Sequence, residues 1–350
     1  MKGEWRIVNK RIYTSLIALI IVMGAVLISA SGRTTKLLST STIAANDPLL
    51  MLPASDAVAV VDIKRLLTDA MPRTLANNPA RLAEANAEID RFKTRTGIDL
   101  RQFDRIAAGF RFDDTSTPAN EERKVAIAHG TFNANAFVAA GRLAAQGKYK
   151  EEKYEGKTIY IFTLEQQVRL FGVLNMKMAD LAVVALDADT LAMGDPAGAR
   201  AAIDAASGRG PRVNSELVGL ATRNPNAMIG FGANLPPSAA RSLDIDNEEI
   251  IKNISSIRQV YGSIGTTAAG FDMLTVARTE NAEQAKSLED TIAAAKQFAS
   301  MLAAHVSRDS AKGKLVENAL NSMKVTTQGN EVQIKLELAQ ADIATLVRGF

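Results

Sequence analysis

The residues able to do chemistry are few and widely spaced in this chain of 350 residues. Cysteine is absent, which excludes thiol nucleophiles, thiolate metal sites, disulfides and a lipid-modified cysteine. Only two histidines occur, His129 within a strand pattern and His305 near a helix end. With no cysteine and no H-x-x-E-type spacing beside them they make no zinc set, so both are expected to be structural. Ser263 stands in Gly262-Ser263-Ile264-Gly265, at a Gly/Thr-rich strand entry, which is not the G-x-S-x-G elbow of a serine hydrolase. Asp244-Ile245-Asp246-Asn247-Glu248-Glu249 begins like a calcium loop, but the sixth position lacks glycine and the twelfth is Ser255. The plainer reading has Asp246 or Asn247 capping a helix, with Glu248 and Glu249 in its first turn, where acids suit the helix dipole. The pairs Asp113/Asp114 and Asp187/Asp189 could in principle work as general acid and base, although both fit turns. Gly230/Gly232 and Gly262/Gly265 do not form phosphate cradles and instead suggest bulges or close backbone approach within strands. No catalytic, cofactor-binding or metal residue is therefore assigned, and no cofactor is expected.

The segment that fixes where such a chain works is Leu16 to Ile28, an apolar run preceded by Lys2, Arg6, Lys10 and Arg11 against the single acid Glu4. From Ile12 to Ala30 the stretch is long enough to cross a bilayer core, which takes ~17 to 25 residues as a helix. The same layout suits a cleavable signal, with Ser29 and Ser31, or Ile28 and Ala30, at the cleavage positions. A signal anchor is the preferred reading, with the basic end kept in the cytoplasm and the body outside it. The rest of the chain has 37 bases against 37 acids, so the basic balance belongs to the leader. A neutral body argues against nucleic acid as a partner.

The elements follow in order. Residues 32–47 form a Ser/Thr-rich linker. Ala57 to Ile63 is a β-branched strand, with Asp62 opening a short helix. Pro79 to Arg95 is an amphipathic helix capped by Asn78 and stopped by Gly97. Phe103–Phe112 and Lys124–Phe132 are paired strands, followed by a helix from Asn133 to Gln146. Hairpins come at Lys148–Phe162, turning at Glu155-Gly156, and at Leu181–Met193, turning at Asp187 to Asp189. A helix from Ala197 to Ala206 begins behind Asp195-Pro196. Ser207 to Arg212 is small, polar and Gly/Pro-containing, and marks a boundary between lobes 48–209 and 210–350. The second half repeats the order: a strand at Asn226–Asn234, strands at Ser263–Asp272 and Met273–Arg278, a helix from Asn281 to Ala304, a hairpin at Lys324–Leu338 and a closing helix from Gln340 to Val347. The expected fold is α+β: antiparallel sheets with helices packed on one face, in two similar lobes from an internal duplication, after an N-terminal hydrophobic helix at 1–31.

Two surfaces could bind something. The mixed-sign hairpin KYKEEKYEGK, Lys148 to Lys157, is either solvated or a contact surface through Tyr149 and Tyr154. The helix from Asn281 carries Ala285, Leu288, Ile292, Ala295, Phe298, Ala299 and Leu302 on one stripe, which packs as core or lines a groove for an acyl chain. Three functions follow. The first is a non-catalytic, membrane-anchored binding or scaffold module facing the cell envelope, with a protein partner or a lipid-like ligand. The second is a carrier or sensor of an apolar ligand in a sheet–helix groove, and the third a hydrolase using a carboxylate pair.

The runs LLMLPASDAVAVVDIKRLL, TGIDLRQFDRIAAGF and GNEVQIKLELAQADIATLV resemble uncharacterised bacterial exported or membrane-anchored proteins. Those chains open with a Leu-Pro step before a strand, pass a Gly-marked helix exit, and close with a hairpin and helix. The resemblance covers much of residues 48 to 347. It implies an extracytoplasmic α+β protein and carries no activity or site residue.

Overall fold

The computed structural model describes residues 47–340, apart from 77, 113–122, 164–167, 171–173, 177–179, 237–246, 268–269 and 307–310. The leader at 12–30, nearly all of the 32–47 linker, the Asp113/Asp114 pair and almost all of the closing helix lie outside these residues. The chain is a mixture of helices and antiparallel strands, in two compact units that part between Gly219 and Leu220.

The first unit opens with α1 (Pro48–Met51), capped by Asp47, whose carboxylate accepts Leu49 N–H at 2.9 Å and pairs with Arg105. Strand β1 (Ala57–Asp62) ends in Asp62, which accepts Arg65 N–H at 2.8 Å and so starts α2 (Ile63–Arg65). A π-helical stretch, Leu66–Ala70, carries the chain into α3 (Met71–Thr74). Helix α4 (Pro79–Thr96) has Asn78 as its N-cap and Gly97 in the left-handed region, at φ 72°, as its C-cap. Then come β2 (Phe103–Arg111), β3 (Arg123–Gly130), α5 (Ala134–Ala144), β4 (Tyr149–Tyr154) and β5 (Lys157–Thr163). The β4–β5 connection is two residues, Glu155 and Gly156, both with positive φ, the turn whose twist matches paired strands. After the small pair β6 (Val168–Leu170) and β7 (Leu174–Met176) follow β8 (Asp180–Ala185), β9 (Thr190–Gly194), α6 (Pro196–Ala206) and α7 (Ser215–Ala221). The strands lie in the order β1-β2-β3-β9-β8-β5-β4.

Helices cover both faces of this sheet, not one. On the α5 side Arg142 reaches Tyr149 and Glu151; on the α6 side Arg200 and Asp204 reach Glu152 and Tyr154. Alternate residues of a strand point to opposite faces, so the two helices flank the sheet. The cause lies in the strands themselves. Val125, Ala126, Ile127 and Ala128 of β3 are all buried, as are Ala182, Val183 and Val184 of β8. A run apolar at every residue needs cover on both sides. Around the α5 face Phe103, Ala128, Phe132, Val138, Val183 and Leu191 form the core.

The second unit contains β10 (Ile229–Asn234), α8 (Glu248–Ser255), β11 (Ile257–Thr266), β12 (Gly270–Thr279), α9 (Ala282–Val306), α10 (Ala311–Ser322), β13 (Lys324–Gln328) and β14 (Glu331–Ala339). Its strands run in the order β13-β14-β12-β11-β10. The strand pair expected to break between Asp272 and Met273 turns instead between Thr266 and Gly270, and β11 starts at Ile257, directly after α8. On the helix side Met273, Ala277, Val332, Ile334 and Leu336 pack against Ala285, Leu288 and Ile292 of α9. That stretch of the expected stripe is therefore core, while Phe298 and Met301 further along are exposed. A Cβ at Gly262 would run into the Leu274 carbonyl and the Phe231 ring, as expected for a close approach of backbones.

Candidate functional site

Register sets the site. Asn234 stands opposite Gln259, Gln259 opposite Arg278, Arg278 opposite Glu331 and Glu331 opposite Gln328, so one polar row crosses all five strands. These positions alternate with Val260, Ala277 and Val332, so the row lies on the face away from α9. Along it Gln259 Nε2 donates to Asn234 Oδ1 at 2.9 Å, Arg278 Nη1 donates to Gln259 Oε1, and Arg278 Nε and Nη2 donate to Glu331 Oε1 at 3.0 and 2.8 Å.

Tyr261 sits one step along β11 on the same face and is only 2% exposed. Its hydroxyl donates to Glu331 Oε1 at 3.0 Å and accepts from Arg223 Nη1 at 3.1 Å. The Arg223 and Arg278 guanidiniums lie 5.0 and 5.6 Å from its ring centroid. Burial pushes the phenol up, and the Glu331 charge adds to that, so Tyr261 stays neutral and donates at any physiological pH. For Arg278 burial works against the cation, but the hydrogen bonds and charge of Glu331 outweigh it and hold the guanidinium above its ordinary value.

The segment after α7 brings Arg223 to this face. Arg223 N–H donates to Leu220 O, Asn226 N–H donates to Asn224 Oδ1 at 3.1 Å, and Asn224 Nδ2 donates to Ser263 Oγ at 3.2 Å. Ser263, 4% exposed, thus ties a loop to the sheet, and the contact shown by its hydroxyl is an amide, not a base.

The other sequence candidates fall elsewhere. His129 lies in β3 with Nε2 3.8 Å from Asp189 Oδ2, and His305 lies in the last turn of α9. Asp187 and Asp189 occupy the β8–β9 turn, where Asp187 Oδ1 accepts Asp189 N–H at 3.1 Å. Burial pushes Asp187 up, but hydrogen bonds from Thr190 and Asp189 outweigh it and hold the carboxyl below its ordinary value, the opposite of a general acid. Asn247 caps α8 by accepting Ile250 N–H at 3.1 Å; residues 244–246 lie outside the described set. Tyr149 accepts from Arg142 Nε at 3.0 Å and Tyr154 donates to Asp204 at 2.8 Å, so both tyrosines of the mixed-sign hairpin are anchored to helices. Among the described residues no group of three or more His, Cys, Asp or Glu is placed to hold a metal ion.

Among the described residues Asp272 is the one acid on the polar face that burial pushes up; its own backbone N–H opposes this and Glu337, directly opposite on β14, reinforces it. A carboxyl whose folded pKa is raised costs stability when charged. The penalty is complete above the folded pKa and vanishes below the ordinary value of 3.8. Asp272→Asn is therefore expected to unfold at a higher temperature than the parent at neutral pH, with the gap closing as the pH is lowered through that window. A gap that is constant or grows on acidification would remove the assignment.

No family model matches the chain, and none of the curated proteins matches it. Among solved structures, crystal form III of TP0453 superposes with a TM-score of 0.46 at 9% identity, over 87% of this chain and 98% of that chain. Crystal form I of the same protein gives 0.44 at 8% identity, over 87% and 98%, and crystal form IV 0.43 at 10%, over 86% and 96%.

Proposed function

We propose that the chain is a membrane-anchored, extracytoplasmic binding or scaffold module of the cell envelope, akin to the exported proteins it resembles in sequence. The observation that carries this reading is the Tyr261 network. Its polar groups hold one another in fixed hydrogen bonds, with Arg223, an exposed residue, at their margin. Fixed donors on a strand scaffold are suited to recognition, since little order has to be created on binding. The sequence of residues 12–30 supports anchoring; no helix among the described residues is long and apolar enough to cross a membrane. The packed stripe of α9 weighs against a groove for an apolar ligand along Ala285 to Ile292.

The internal duplication draws support from topology. In both units a strand, one or more helices, two paired strands and one or two helices are followed by strands whose last member returns beside the third: β9 beside β3, and β14 beside β12. Profiles built separately from each half of related chains should detect the other half if the lobes share descent, and failure would leave convergence on one topology.

Native mass spectrometry of the full-length protein taken from its own membranes tests the functional reading. A second protein chain bound to an intact, uncleaved polypeptide is the expected result. A small apolar adduct would favour a carrier instead. Activity of a cytoplasm-only reporter fused after Phe350 would overturn the topology.

A further inference from the structure

We infer that Arg223 is the recognition point for a single carboxylate of an acidic peptide segment on a partner protein; this deepens the binding-module reading and rests on it. Around Tyr261 two guanidiniums, Arg223 and Arg278, share one ring, but only Arg278 pairs with Glu331, and Arg223 reaches that carboxylate through the Tyr261 hydroxyl. Arg278 has its partners in Glu331 and Gln259, whereas Arg223 has no carboxylate partner among the described residues and spends one donor on the Tyr261 hydroxyl. Further along the same face Lys324 stands opposite Lys335 and Asp272 opposite Glu337, two bases and two acids, so the count among the described residues of this face leaves a single positive charge in excess.

That excess decides the ligand's charge. A carboxylate neutralises it, while a phosphate monoester would bring close to two negative charges beside Glu331. The geometry decides the ligand's shape. The buried ring, with its centroid 5.0 Å from the guanidinium carbon, and the bond to its hydroxyl hold the Arg223 side chain, and the bond from neighbouring Asn224 to Ser263 holds its loop. A planar fork fixed in this way suits the two oxygens of a carboxylate, which a lysine cannot match with its point charge. Exposure decides the source. Arg223 is exposed at a loop, whereas small-molecule sites engulf most of their ligand, so a side chain or terminus presented by another protein surface fits better.

The test uses the full-length protein in nanodiscs of zwitterionic lipid, with fluorescein-labelled oligoglutamate as the probe and oligoglutamine as the uncharged control. Oligoglutamate is expected to bind and oligoglutamine not to. Arg223→Lys, which keeps the charge and loses the fork, is expected to weaken binding about tenfold while leaving the thermal unfolding midpoint unchanged. Acetate is expected to displace the probe better than inorganic phosphate at equal charge. Equal affinity in Arg223→Lys, absence of oligoglutamate binding, or stronger displacement by phosphate would each overturn the assignment. A partner protein that stays bound to Arg223→Lys in native mass spectra would also overturn it, and would leave the binding-module reading standing.

Discussion

Phe103→Ala is expected to destabilise the first unit by about 3–5 kcal/mol, the range for emptying a well-packed aromatic site. Phe103 is 4% exposed, its ring centroid lies 4.6 Å from that of Phe132 and 6.1 Å from that of Phe137, and it joins the start of β2 to the first turn of α5. The space it leaves cannot collapse easily. It is bounded by Ala128 and Leu191 of neighbouring strands, whose positions are set by the ladder hydrogen bonds and not by side-chain freedom. The β2–β3 backbone approach near Gly130 adds a second restraint, since a Cβ at that glycine would lie 2.8 Å from Phe103 Cα. Native-state hydrogen exchange is the suitable readout because it reports opening of β2 and β3 separately from the rest. Exchange of those amides should accelerate by roughly two to three and a half orders of magnitude. An acceleration below about fivefold would mean that the three rings are not the support of this sheet end.

In the second unit Glu331→Ala is expected to cost about 2 kcal/mol, below the 3–5 kcal/mol of a fully buried pair because the partners keep some solvent contact. The side chains of Arg278 and Glu331 are 29% and 19% exposed. Removing the carboxylate takes away the acceptor of the Tyr261 hydroxyl and of two Arg278 nitrogens at once, and leaves two guanidiniums beside one ring without that negative charge. Much of the cost is thus the stranded Arg278 cation and not the lost pair itself. The double variant Glu331→Ala/Arg278→Met should accordingly be more stable than Glu331→Ala alone, although Gln259 then loses its donor. Urea unfolding of the two variants decides it: a double variant less stable than the single one would show that Arg278 contributes through packing, with little charge left uncompensated.

Local chemistry was readable from the chain. Asn78, Asn133 and Asn247 cap their helices, Gly97 ends one in the left-handed region, and Glu155-Gly156 makes the positive-φ hairpin turn. Each depends on backbone preferences within about four residues, so a window of sequence contains the whole cause. The unbroken apolar runs of β3 and β8 were also a visible sign that the first sheet is covered on both faces, and the α+β expectation of one covered face passed over it. The start of β11 was missed for a different reason. Ile257 follows α8 with a single residue between them, and no Gly or Pro marks the change.

The polar row could not have been read in this way. Asn234, Gln259, Arg278 and Glu331 lie up to ninety-seven positions apart, and nothing in their spacing sets them side by side. Strand register does: a shift of one residue in β12 would turn Arg278 toward α9 and expose Ala277 in its place. By itself the sequence determined an apolar, basic-flanked N-terminal run, a charge-balanced remainder without cysteine, and most helix ends and turns, because composition and short-range backbone preference suffice for these. Only the tertiary structure decided that Arg223 meets Tyr261 and that two guanidiniums share one ring, because those contacts depend on which strands pair and in what register, a long-range choice made by burial of the opposite face.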